Sequence, residues 1–341
     1  MIEIDGSQGE GGGQMLRTAL ALSALTGKEF RITRIRANRQ NPGLAAQHLT
    51  SVSGVGELCG AEIEGAKAGS MDLRFKPGPM VGGKHQLDVG TAGSITLVLQ
   101  ACLLALARCR KEVVLQIRGG TNVRWSPPVD HYQLVLLPLL CQMGGEVRMD
   151  VVRRGFYPEG GGEVLVTVGP WKHIAPFKVE ERGILRSVDG VCFSRNLPPN
   201  ICQRVADAAR KRFKGIEPHI HMDIGQGPSA GAGVFLCASF GRTILGGDAL
   251  GERGISSERV GEKAVDALLS EINSRSTLDV HTADQLLPYM ALANGESRFL
   301  VREITGHLST QIELVRRFLD VRVELADDGE DHLVSVSPNC T

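Results

Sequence analysis

The apolar pattern of this chain runs strand, helix, strand, helix, strand, strand, and then starts again. Ile2 to Asp5 reads as a strand and a glycine loop follows; Gln14 to Thr26 reads as a helix, with Leu16, Leu20 and Ala24 on one stripe and Gly27 as its C-terminal stop. A strand at Phe30 to Ile35 follows, then a helix opened by Pro42-Gly43 and running to about Leu58, then strands at Ala61 to Glu64 and Met71 to Phe75. The second copy places strands at His85 to Val89, Val113 to Ile117, Val147 to Val152 and Val164 to Val168, with helices at Thr91 to Ala107 and Pro128 to Met143. A third copy assembles only across a gap. Its strand Phe177 to Val179 continues with helix Ala283 to Leu292, strand Phe299 to Glu303, helix Leu308 to Phe318 and strands Val321 to Leu325 and Leu333 to Val336.

The gap carries its own strands (Val188 to Cys192, His219 to Asp223, Val234 to Ala238) and helices (Pro199 to Phe213, Ser257 to Ile272). The expected fold class is therefore α+β. A large domain of three βαβαββ repeats spans 1–183 and 277–341, and a small α/β domain is inserted at 184–276. Repetition of this kind speaks to architecture and leaves the chemistry open.

Glycine supplies 42 of 341 residues, well above a usual share of roughly 7%. It has no Gly-X-Y period and sits beside 42% hydrophobic residues, which excludes collagen and disorder. No apolar run approaches the roughly 18 to 20 residues of a membrane span, and Met1 to Asp5 lacks the basic start and apolar stretch of a secretory signal. A soluble cytoplasmic protein with no membrane partner is expected. The eight cysteines contain no Cys-x-x-Cys pair and mostly sit in apolar segments, as buried reduced thiols do. Lys+Arg and Asp+Glu number 38 each, so a polyanion must be held by a local cluster of cations.

Candidate chemistry lies where glycine turns meet helix starts. Asp5-Gly-Ser-Gln-Gly-Glu-Gly-Gly-Gly-Gln-Met-Leu-Arg17 is either a tight strand-to-helix turn or a phosphate cradle of backbone amides. Glu10 within it would repel a bare phosphate but suits a divalent cation bridging to one, and Arg17 offers a fork to phosphate oxygens. Arg34, Arg36 and Arg39, with Gln47 and His48 just beyond, form either a solvated strand end or a site for a phosphate-rich ligand. Gly90-Thr-Ala-Gly-Ser94 opens an apolar helix in which Gln100 either satisfies a core group or points at a ligand. Gly155 to Gly162 echoes the first glycine loop. His219 and His221 alternate on one strand without a third metal ligand at a suitable spacing. His307 lies between a strand and a helix start, where helix N-terminal amides disfavour a protonated ring; it is a candidate nucleophile or base.

Together these segments strongly resemble the RNA 3'-terminal phosphate cyclases. The resemblance rests on Gln8-Gly-Glu-Gly-Gly-Gly-Gln-x-Leu-Arg17, Ile35-Arg36-Ala-x-Arg39-x-x-Pro-Gly-Leu44 with Gln47-His48-Leu49, Gly90-x-Ala-Gly-Ser-x-Thr-Leu-Val-Leu-Gln100, Gly155-Phe-Tyr-Pro-x-Gly-Gly-Gly162, Ala283-Asp-Gln-Leu286 and His307, in order along the chain. It implies a ligase-type enzyme that uses ATP to turn an RNA 3'-phosphate into a 2',3'-cyclic phosphate, with His307 covalently adenylylated on the way. It further implies Glu10 as the carboxylate associated with Mg2+ or Mn2+. Arg36 and Arg39 would hold the RNA phosphate. Arg17, Gln47, Gln100 and the run His281, Thr282, Ala283, Asp284 and Gln285 would hold ATP. The implied fold is three units like the C-terminal domain of a bacterial translation initiation factor plus a thioredoxin-like insert; a homo-oligomer is compatible with it. Gln311 and His281 stand where many relatives have asparagine and some have tyrosine, which touches nucleotide details. A non-catalytic cyclase-like ribosome-assembly factor would lack His307, and an enolpyruvyl transferase would carry paired lysines and arginines around a small dianion.

Overall fold

A computed structural model describes residues 1–8, 12–213 and 216–339. Its first sheet is built from β1 (Ile2–Asp5), β2 (Phe30–Thr33), β3 (Glu62–Glu64) and β4 (Leu73–Lys76), with α1 (Gly12–Thr26) and α2 (Ala46–Cys59) between strands. The second contains β5 (Gly83–Asp88), β6 (Val113–Gly119), β7 (Val147–Arg153) and β8 (Gly162–Val168). Its helices are α3 (Ile95–Ala105), α4 (Val129–His131), a π-helical turn at Tyr132–Leu136, and α5 (Leu137–Gln142). After β9 (Lys178–Val179) come β10 (Leu185–Arg195), α6 (Pro199–Arg212), β11 (His219–Gly225), β12 (Gly231–Phe240), β13 (Ile244–Leu250) and α7 (Ser257–Asn273). The chain then returns through α8 (Val280–Met290), β14 (Ser297–Val301), α9 (Gly306–Phe318), β15 (Val321–Asp328) and β16 (Asp331–Pro338).

Strand orders are β1-β2-β4-β3, β5-β6-β8-β7 and β9-β14-β16-β15. In each, the first two strands run parallel and the remaining pairings are antiparallel. The helices share one apolar core with these sheets, from Ile4 to Val336. Helix α1 packs against α2, α3 and α9 and is buried along most of its length from Met15 to Ala24, which explains why its sequence is apolar nearly all round. The fourth sheet, β11-β10-β12-β13, closes a separate apolar cluster with α6 and α7. The seven described cysteines are free, and all but Cys141 are buried. Among the described residues no helix is long and apolar enough to cross a membrane.

Where elements depart from the sequence expectation, a specific residue is responsible. Helix α2 starts at Ala46 rather than Pro42 because Gly43 adopts φ 78° in a turn where a Cβ would sit 2.2 Å from Gly69 O. The helix expected from Pro128 to Met143 widens into a π turn just before Pro138, which has no N–H to donate and whose ring crowds the preceding turn. Strand β13 escaped notice because Gly246 and Gly247 weaken its apolar alternation. Those glycines admit neighbours closely: a Cβ on Gly247 would lie 2.6 Å from Leu268 N of α7. Helices α8 and α9 start earlier than expected, at Val280 and Gly306, because Asp279 and Thr305 cap them.

Candidate active site

The Thr305 cap places His307 in the first turn of α9. Thr305 Oγ1 accepts from Leu308 N at 3.1 Å, and His307 is half-buried. Its Nδ1 lies 2.8 Å from Oε1 of Gln14, a residue of α1 only 5% exposed. The Gln14 amide nitrogen in turn donates to Asp284 Oδ2 of α8 at 3.4 Å. A carboxylate accepts and does not donate, so the amide nitrogen faces Asp284 and the amide oxygen faces the imidazole. In the tautomer that matches this arrangement His307 donates through Nδ1 to Gln14 Oε1, so Gln14 holds the ring by that nitrogen and not by Nε2.

One turn along α1, Arg17 is buried and donates through Nε to Gln100 Oε1 at 2.8 Å. Loss of hydration lowers its pKa to about 10, with Tyr132 and Asp284 acting the other way, so it stays cationic at neutral pH. Among the described residues it forms no ion pair. A buried guanidinium bonded only to a neutral amide favours an anionic ligand.

His48 lies close by. A Cβ on Gly13 would fall 2.8 Å from His48 Nε2 and 3.4 Å from Arg17 Nη1, so only glycine lets α1 approach this closely. His48 Nδ1 accepts from Ala45 N at 3.2 Å. Burial first, then Arg17 and Arg36, pull its pKa down to about 3, so the ring is neutral. An unfolded chain binds a proton at this histidine near pH 6.5 that the folded chain refuses. Its stabilising share is complete above pH 6.5 and is lost as the pH falls toward 3. His48→Gln, which keeps an acceptor for Ala45 N, is expected to flatten the decline of unfolding free energy between pH 7 and 4 in urea titrations; an unchanged slope contradicts this.

Arg36 is half-buried, takes φ 54° and donates through Nη1 to Gly43 O at 2.8 Å. Burial, then the neighbouring charge of Arg39, lowers its pKa. Arg34 shares the left-handed backbone at φ 52°. Non-glycine residues in that region are strained, so this turn holds like charges together in an unfavoured conformation. Gln47 Oε1 accepts from Ser94 N at 2.9 Å and ties α2 to the start of α3. Arg39 lies exposed beside Arg36.

On α8, Asp279 Oδ1 caps the N–H groups of His281 and Thr282 at 3.1 and 2.8 Å. Burial alone would raise the Asp279 pKa, but the imidazole of His131 3.9 Å away, then His281 and the Thr282 N–H, prevail and leave it at about 2. Thr282 Oγ1 donates to Asp279 Oδ2, and Ala283 lies in the core, so both side chains serve the scaffold. His281 keeps an exposed face, yet surrounding protein removes enough water from its ring to lower its pKa against the pull of Asp279. Gln285, Gln311 and Gln100 line a narrow cleft, open in part to solvent, with Thr18, Tyr132 and Tyr289. Among the described residues, the buried Oε1 atoms of Gln285 and Gln311 have no hydrogen-bond partner, an uncommon state for buried amides.

The structure thus brings His307, Asp284, Arg17 and Gln100 together, sets Arg36 beside His48, and places Gln285 in the adjoining cleft. Glu10 lies outside the described residues. Sequence reasoning gave no role to Gln14, although a polar residue three positions before Arg17 on an apolar helix was the available signal.

A family model described as RNA 3'-terminal phosphate cyclase matches residues 8–325. The chain is 44% identical over 340 residues to a Nitrosospira multiformis protein named RNA 3'-terminal phosphate cyclase, covering 98% of this chain and 96% of that one. A protein of the same name from Methanopyrus kandleri is 44% identical over 348 residues, 99% of each chain. Another from Pyrococcus furiosus is 41% identical over 340 residues, 98% of this chain and 99% of its own. With a match of this extent, the chain belongs to the RNA 3'-terminal phosphate cyclase family.

Proposed function

We propose that the protein converts an RNA 3'-terminal phosphate to a 2',3'-cyclic phosphate by ligase-type nucleotidyl transfer from ATP through a histidine-AMP intermediate. The observation carrying this reading is the Asp284–Gln14–His307 relay, which holds the imidazole by Nδ1 and directs Nε2 away from Gln14, with the buried Arg17 cation one turn along α1. Nε2 attacks the α-phosphorus of ATP; the N–P bond forms, the P–O bond to pyrophosphate breaks, and the proton stays on Nδ1, hydrogen-bonded to Gln14 Oε1. An oxygen of the RNA 3'-phosphate then displaces histidine, giving an RNA-adenylate. The 2'-hydroxyl oxygen attacks the phosphorus of the 3'-phosphate, its proton passes to solvent, and the bond from that phosphorus to AMP breaks to release AMP. Adenylylation is needed because a phosphate oxygen leaves poorly and AMP leaves readily.

Arg17, His281 and the Gln100–Gln285 cleft receive ATP, the unpartnered amide oxygens suiting a base's amino group, while Arg36 and Arg39 hold the RNA phosphate. Gln47 contributes at the seam between α2 and α3, and Thr282 and Ala283 contribute as scaffold. Among the described residues no group of three or more His, Cys, Asp or Glu could hold a metal alone. Glu10 would hold a Mg2+ or Mn2+ ion, which would supply charge neutralisation at the phosphates. The shared strand order of three sheets supports the reading of 1–183 and 277–341 as three initiation-factor-like repeats. The order β11-β10-β12-β13 with α6 and α7 supports a thioredoxin-like domain at 184–276.

With ATP and Mg2+, a 3'-phosphorylated RNA should become resistant to phosphatase; retention of full sensitivity would rule the reaction out. Gln14→Leu should slow this conversion on the order of 10- to 100-fold by freeing the ring of His307. A wild-type rate in Gln14→Leu would remove the relay from the mechanism.

A further inference from the structure

The chain has two tryptophans with opposite fates. Trp171 is 3% exposed and stacks on Tyr289 with ring centroids 5.7 Å apart. Trp125 is 93% exposed and takes φ 62°. Neither burial nor backbone preference favours a bulky residue there, and such outliers gather at functional positions.

The loop holding Trp125 is firmly tied. Gly120 N donates to Gly93 O at 2.8 Å and Thr121 N to Gly155 O at 2.9 Å. Ser126 Oγ donates to Val123 O at 3.0 Å, and Thr96 Oγ1 to Pro127 O at 2.7 Å. Arg124 pairs with Glu252 at 2.7 Å. The indole is thus presented on a braced loop. The bracing also locates it. Thr96 precedes Gln100, the partner of Arg17, by four residues, about 6 Å along α3. Gly93 and Ser94 abut Gln47, next to His48. The adjoining loop, bonded through Gly155, carries a second exposed aromatic, Tyr157, at 78%.

We infer that Trp125 is a stacking platform for a base of the RNA strand behind its 3'-terminal phosphate, with Tyr157 as a second ring on the neighbouring loop. This rests on the reading of the site as a cyclase centre. The arginine turn holds only a terminal phosphate, and a net charge of zero gives no general pull on the backbone. Stacking supplies strand affinity without charge and without sequence preference, since every base has a π face. The surface therefore suits single-stranded RNA of any sequence.

Because Trp171 is the other tryptophan, Trp171→Phe leaves Trp125 as the sole indole reporter. Titration with a short single-stranded oligoribonucleotide ending in a 3'-phosphate, without ATP, should quench its long-wavelength emission saturably; a lone nucleoside 3'-phosphate should not. Trp125→Leu in the otherwise native chain should weaken binding of the oligonucleotide about tenfold and raise KM for RNA far more than it lowers kcat, with an undiminished melting temperature. RNA binding that leaves Trp125 emission and the Trp125→Leu dissociation constant unchanged would overturn the inference and point to a protein partner for this loop. The two readings fail separately. Quenching by RNA in a protein that never cyclises keeps the platform and removes the cyclase reading; cyclisation without quenching does the reverse.

Discussion

His307→Ala is expected to lose cyclisation of a 3'-phosphorylated RNA by about 10³-fold or more, because the proposed mechanism forms its phosphoramidate on this ring. The half-buried ring sits in the first turn of α9, and the Thr305 cap is untouched, so the fold should persist with little change in melting temperature. A sharper expectation concerns the last step. Once RNA-adenylate is supplied ready-made, the nucleophile has no task left, and His307→Ala should close the ring at a rate close to that of the wild type. Loss of this step as well would show that His307 acts later in the sequence than the mechanism places it.

The largest effect on stability is expected at Arg154. Its side chain is 4% exposed and donates to both oxygens of Asp130, at 2.6 and 2.8 Å, to Asn122 Oδ1 at 3.1 Å and to Asp223 Oδ2 at 2.7 Å. The guanidinium also lies 4.4 Å from the ring centre of Phe193. Burial works against its charge, but Asp130 and then Asp223 overcome this and raise its pKa. Asp130 belongs to α4 and Asp223 to β11, so one cation joins the second sheet to the 184–276 segment. Arg154→Met leaves the Asp130 carboxylate, 1% exposed, without its partner. The expected cost is about 3–5 kcal/mol in denaturant unfolding, with part regained in Arg154→Met/Asp130→Asn. A loss under about 1 kcal/mol would mean that water or relaxation replaces the pair.

Many of the strands and helices were legible in the sequence because apolar periodicity reports directly which face of an element is buried. Leu16 and Leu20 on α1, and Leu73 and Phe75 on β4, are buried in the core as that pattern requires. Helix starts were read late at α8 and α9 because a cap belongs to the residue before the apolar stripe. The cap matters here: with Asp279 and Thr305 as caps, His281 and His307 both become first-turn residues. Strand β13 was hidden because Gly247, set by the close approach of α7, and Gly246, against Phe235 and His131, erase a strand's signature. Single residues at glycine turns, such as Arg17 and His307, stood out by type and position. Their partners did not: Gln14 meets His307 across 293 residues of chain, and Arg154 meets Asp223 across 69. Pairings set by tertiary packing leave no local pattern to read.

The central claim is that His307 Nε2 carries AMP, and incubation of the protein with α-labelled ATP and Mg2+ or Mn2+ tests it directly. The account predicts a covalent adduct, acid-labile and alkali-stable as a phosphoramidate of histidine is, mapping by mass spectrometry to the peptide containing His307 and absent from His307→Ala. No adduct on the native protein, or one that survives in His307→Ala, would contradict it.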